Sequence, residues 1–100
     1  ADKEFAITVS DHRFILPEKK LVIRKGEKAR FTVTSNDLTY GFGLFRPDNS
    51  MLFQMQVLPG HVNDILWQFD RPGLYSIRST EYSGWKGINM IVRDAVEVVE

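Results

Sequence analysis

The 100-residue sequence contains no cysteine. That excludes disulfides, thiolate metal sites and thiol catalysis, and it leaves the cellular compartment undetermined. Neither sign of charge is in excess: Lys plus Arg and Asp plus Glu both number 13, for a formal net charge of zero. Such a balance provides no electrostatic footprint for nucleic acid or an anionic membrane surface. No apolar run approaches the roughly 18 residues of a spanning helix, and no signal-peptide pattern stands at the start. Internal repeats, low-complexity segments and amphipathic helical periodicity are also absent.

What the chain does have is ordinary globular composition, 43% hydrophobic and 26% charged, in a length suited to one domain over residues 1–100 with a modest core. Its dominant signal is alternation of β-branched and aromatic residues with polar ones, the strand period. EFAITV, KLVIR, ARFTVTS, LFQMQVL, VNDILWQF, LYSIRST and AVEVV read as strands. Between them lie turn residues: Pro17-Glu18, Lys25-Gly26-Glu27, Asn36-Asp37, Pro47-Asp48-Asn49, Pro59-Gly60, Pro72-Gly73 and Gly84 to Gly87. Many short strands punctuated by turns predict an all-β sandwich or barrel. Ala29, Phe31 and Val33 are the expected inward set of one strand. Val62, Ile65, Trp67 and Phe69 are that of another, with a bulge between 62 and 65.

Groups able to do chemistry are sparse. His12, beside Asp11 and Arg13, and His61, after Pro59-Gly60, are expected in exposed turns. A metal site needs three or four converging ligands, and their spacing alone does not supply them. Asp64, Asp70 and Glu81 fall on turns or strand edges rather than as a facing carboxylate pair. No nucleophile elbow or phosphate-cradling loop is present, since Tyr40-Gly41-Phe42-Gly43 opens no helix. The chain by itself is therefore not expected to be an enzyme. Tyr40, Phe42, Phe45, Tyr82 and Trp85 fall in or near two loops that could converge at one end of a sandwich. They read either as core residues closing that end or, with Glu81, as an apolar interface for a partner.

The segment STEYSGWKGINM, residues 79–90, has the layout of a copper-binding loop without its cysteines and histidine. It aligns without gaps to CxEYCGxGHxxM. Upstream, VTSNDLTYGF (33–42) matches VTSxDVxHGF, VLPG (57–60) matches VxPG, and FDRPGLY (69–75) matches FxxPGxY. The connection GFGLFRPDNSMLFQMQVLPG (41–60) is similar to GFGxYDPDGxLxxQVQxMPG. With these motifs in order from about Phe14 onward, the chain resembles the cupredoxin-like, CuA-type domain of subunit II of haem–copper oxidases and nitric oxide reductases. The resemblance implies a Greek-key β-sandwich or barrel.

The same resemblance implies a degenerate copper site. Tyr40 stands where the family has its first histidine ligand, Ser79 and Ser83 where it has the bridging cysteines, and Gly87 where it has the second histidine. Met90 matches a ligand, and Glu81 the residue whose carbonyl completes the site. Serine hydroxyls are hard, high-pKa groups with little affinity for soft copper, so no metal and no cofactor are expected. Tyr40 and Trp85 are expected to plug the end that copper would otherwise cross-link.

By resemblance, the chain is expected to be a non-catalytic domain of a copper-free, quinol-fed oxidase or nitric oxide reductase. Its partner would be the membrane-embedded catalytic subunit I. It would lie on the extracytoplasmic face of the cytoplasmic membrane, as the soluble part of a membrane-anchored subunit. Glu81 is either an interface carboxylate or an ordinary loop residue. A stand-alone binding module remains open, as does a copper carrier with a rebuilt site of His12 or His61 with Met90 and Glu81.

Overall fold

The computed structural model describes residues 2–80 and 90–100. Its described residues form nine strands: β1 (Lys3–Ser10), β2 (Arg13–Ile15), β3 (Leu21–Arg24), β4 (Lys28–Ser35), β5 (Tyr40–Phe45), β6 (Met51–Val57), β7 (Asn63–Gln68), β8 (Gly73–Arg78) and β9 (Ile91–Val99). They make two sheets, one of order β2-β1-β4-β7 and one of order β3-β9-β8-β5-β6. Two pairings are parallel, β1 with β4 and β3 with β9, and the rest are antiparallel. The chain therefore crosses between sheets rather than meandering. This is the cupredoxin-like arrangement that the motifs imply.

Alternation places the core. In β4, Ala29, Phe31 and Val33 are fully buried, as expected, and Lys28, Arg30, Thr32 and Thr34 face outward or the rim. Phe31 lies at the centre. Its ring centroid is 5.8 Å from those of Phe5 and Phe42, 6.0 Å from Phe53 and 6.1 Å from Phe69. Phe5 shares its sheet, while Phe42 and Phe53 come from the other, so this one side chain stitches both layers. Tilted and edge-on contacts of this kind contribute beyond the area they bury.

Two corrections concern the strands. Residues 40–45 are absent from the strands read from alternation, with their aromatics expected in or near a loop, but they form β5, in the interior of the larger sheet between β8 and β6. Nearly all of β5 is buried, so its two faces carry no polar alternation to mark it. The other correction is Val62, expected inward but 72% exposed. Asn63 opens β7 instead, with its side-chain amide donating to the carbonyls of Val33, Leu58 and His61 at 3.2, 3.4 and 3.2 Å. No bulge is needed, because inward positions run 63, 65, 67 with Phe69 buried beyond them.

The turn glycines are required by backbone geometry at two of the recognised motifs. Gly60 has φ of +76° in the turn closed by the His61 N–H to Leu58 carbonyl bond, which suits Pro-Gly at its centre. Gly73 has φ of +151°, again favouring glycine. Gly43 differs, since its constraint is space: a Cβ there would stand 2.5 Å from Thr80 Cγ2 and 2.8 Å from Phe45 Cε1. Gly43→Ala should cost about 1–3 kcal/mol of stability through overpacking. Thermal unfolding followed by circular dichroism should show the loss, and an unchanged midpoint would refute the packing account.

Candidate functional site

Of the positions aligned with the copper ligands, the described ones, Tyr40, Ser79 and Met90, lie at the end of the sandwich where β5 begins and β8 ends. Asp11 and His12 form the two-residue turn between β1 and β2, with φ of 51° and 59°. Positive φ at both central residues is what a tight hairpin of this hand requires, and Asp and His are among the residues that tolerate it. Ser35 closes the neighbouring β4–β5 connection. Its buried hydroxyl donates to the Leu38 carbonyl and accepts the Asp37 N–H at 3.3 Å. Side-chain bonds of this type hold a turn against the strand ladder.

Tyr40 joins these two turns. Its side chain is fully buried, and its hydroxyl donates to Asp37 Oδ1 at 3.0 Å while accepting the His12 N–H at 3.1 Å. The same Asp37 oxygen accepts the Leu38 N–H at 2.7 Å, and Oδ2 accepts the Asp11 N–H at 2.9 Å. The His12 ring stands edge-on to the Tyr40 ring at 5.8 Å between centroids. One carboxylate and one phenol thus tie together the β1–β2 turn, the β4–β5 connection and the start of β5.

The electrostatics follow from this division of labour. Asp37 is exposed, and its carboxyl is held below the ordinary value of 3.8, chiefly by the Asp11 N–H, against some upward push from desolvation and with further help from Leu38 and Tyr40. Burial, foremost, pushes the Tyr40 phenol up. The His12 N–H opposes that rise and the Asp37 carboxylate adds to it. The phenol therefore stays a neutral donor while the charge remains on the hydrated partner.

The other expected positions divide. Met90 is buried in the core, and its carbonyl accepts the Ser79 N–H at 3.1 Å, which closes the base of the 79–90 connection. His61 is exposed, whereas His12 is half-buried against Tyr40 rather than solvated as expected. Glu81, Tyr82, Ser83, Trp85 and Gly87 lie outside the described residues, so the proposed Trp85 plug does too. The interface reading of the remaining aromatics needs correction. Tyr40 and Phe42 have no exposed surface, and Phe45 is half-buried beneath the Arg78 guanidinium, 3.8 Å from its ring centroid. Sequence reading also passed over Asp37 as a plain turn residue. Its place three residues before Tyr40, in a turn where Asp accepts backbone N–H groups, was the available signal.

These side chains do not fit a thiolate-bridged copper centre. The chain has no sulfur ligand of the cysteine type, and the residue at the first histidine position offers a phenol oxygen already engaged with Asp37 and His12. Among the described residues, no group of three or more His, Asp or Glu side chains is placed to hold an ion.

Tyr40→Phe keeps the ring and removes both hydroxyl bonds. It should cost about 1–2 kcal/mol, read as a lower unfolding midpoint, and an unchanged midpoint would show that the hydroxyl contributes nothing. Asp37 adds a pH dependence. Its folded pKa is depressed, so the stability it contributes is full above the unfolded value of 3.8 and is lost as pH falls through the lower folded value. The gap in midpoint between wild type and Asp37→Asn should therefore be widest at neutral pH and shrink below pH 3.8.

Comparison with known proteins accords with this geometry. The auracyanin B structure superposes with a TM-score of 0.75 at 12% identity, over 98% of this chain and 89% of that one. The periplasmic domain of subunit II of cytochrome oxidase from Bradyrhizobium japonicum superposes at 0.71 and 18% identity, over 100% of this chain and 86% of that one. At these identities the likeness is one of fold. Cytochrome c oxidase subunit 2 of Thermus thermophilus is 28% identical over 87 residues, which cover 87% of this chain and 62% of that relative. The chain thus spans less than two thirds of that relative's length. Residues 2–96 match the family described as cytochrome C oxidase subunit II, periplasmic domain, and the chain belongs to that family.

Proposed function

We propose that this domain belongs to a copper-free subunit II of a quinol-fed haem–copper oxidoreductase, where it serves assembly and stability rather than electron transfer. The observation that carries this reading is Tyr40. At the position aligned with the first copper ligand, a buried phenol is fully engaged by Asp37 and His12, in a chain without cysteine. In the family that the motifs resemble, members fed by a soluble donor pass electrons through CuA to haem in subunit I. Members fed by membrane quinol dispense with it. Under this reading the partner is subunit I, the location is the extracytoplasmic face of the membrane, and Glu81 is an interface carboxylate beside Tyr82 and Trp85.

Copper titration of the domain, followed by absorption and electron paramagnetic resonance, tests the metal-free half. The expected result is no charge-transfer band and only weak, non-stoichiometric binding. A tight stoichiometric signal would overturn it. Affinity purification of the full-length subunit from its native membrane tests the other half. Haem should co-purify, with activity supported by quinol and not by reduced cytochrome c.

A further inference from the structure

The opposite end of the sandwich carries a cleft unrelated to the copper positions. Antiparallel pairing of Gly43 with Arg78 and Phe45 with Ser76 puts the end of β5 beside the start of β8, away from Tyr40 and Ser79. Between the β5–β6 and β7–β8 connections lies a cleft of about 470 Å³, within the range of small-molecule sites. Its apolar lining includes Trp67, Phe69 and Tyr75. Trp67 packs at a tilt against Phe53 at 5.1 Å, and Phe69 meets Tyr75 edge-on at 5.6 Å, so these rings are fixed by the core behind them.

Two guanidiniums also line it. Arg46 is held in place by one nitrogen, Nη1, which donates to Ser50 Oγ at 3.2 Å and to the Met51 carbonyl at 2.9 Å. Its remaining N–H donors bond to no other described residue. Arg71 makes no side-chain hydrogen bond or ion pair with another described residue. Its backbone is pinned, because the Tyr75 hydroxyl donates to its carbonyl at 2.7 Å. Burial, foremost, pushes the Tyr75 phenol up, and the charges of Arg46 and Arg71 pull it back.

Two carboxylates line the cleft as well. Asp48 is turned into its own loop, where Oδ1 accepts the Ser50 N–H at 2.9 Å and the Ser50 hydroxyl at 2.6 Å. Asp70 makes no side-chain hydrogen bond or ion pair with a described residue, while the Arg46 charge acts in part on Asp48, helping the Ser50 bonds hold its carboxyl below the ordinary value.

We propose that this cleft seats a small aryl carboxylate, its carboxylate between Arg46 and Arg71 and its ring against Trp67. A guanidinium matches a planar carboxylate, and two of them line this cleft, while its aromatic wall matches the attached ring. This site is independent of the copper-free reading and stands or falls separately from it.

The test is an NMR titration of the 15N-labelled domain with 2-naphthoate, 2-naphthylmethanol and acetate. Naphthoate should shift the Trp67 indole N–H and the amides of 46–52 and 68–71, and bind more tightly than either analogue. Arg71→Gln, at an exposed side chain bonded to nothing described, should weaken naphthoate about tenfold and leave the rest of the spectrum unchanged. Asp70→Asn should tighten it. Equal affinity for the alcohol would remove the anion seat, and equal affinity for acetate would remove the aromatic wall. Shifts elsewhere, no shifts, or an Arg71→Gln variant that binds like wild type would overturn the proposal outright.

Discussion

The packing of Phe31 between the two sheets is the contact on which the other features of this domain depend. Its ring lies against Phe5 within its own layer and against Phe42 and Phe53 of the other. Burial of such rings is the main favourable term in folding. It fixes which face of each strand turns inward, and so which residues are left to build the loops at either end. Phe53 in turn backs Trp67, so the wall of the distal cleft is an extension of the same cluster.

A sandwich closed along its faces still has to close its ends. One end holds Tyr40, at the position aligned with the first histidine ligand of the family pattern. That end is tied by neutral and charge-assisted hydrogen bonds: Tyr40 inside, Asp37 outside, and the backbone of the β1–β2 turn between them. The arrangement respects the cost of burying charge. The phenol is neutral and fully buried, while the carboxylate that accepts from it is exposed and hydrated. Ser35 adds a second buried hydroxyl with both a donor and an acceptor bond. The buried hydroxyls of Tyr40 and Ser35 are thus both satisfied within the chain.

The two ends also differ in what they can offer to other molecules. At the Tyr40 end, Tyr40 and Phe42, which looked available in the sequence, are consumed by the core. At the other end, Arg46 and Arg71 keep donor capacity beside fixed aromatic rings.

The sequence by itself determined the fold class, the inward faces of β4 and most of β7, and the family. Strand periodicity and turn residues are local properties, and the motifs at 33–42, 57–60, 69–75 and 79–90 survive even where their ligands do not. It also determined that no thiolate copper centre can form, because that follows from composition alone. Tertiary structure decided the rest. It made β5 a buried interior strand between β8 and β6, which local alternation could not reveal with nearly every residue covered. It moved Phe42 from a candidate interface into the core and turned Val62 outward by giving Asn63 three carbonyl partners. It also gave Asp37 its role, since the atoms it joins come from the β1–β2 turn and from Tyr40. Such bonds depend on which strands become neighbours, and strand neighbours are set by sheet topology rather than by sequence spacing.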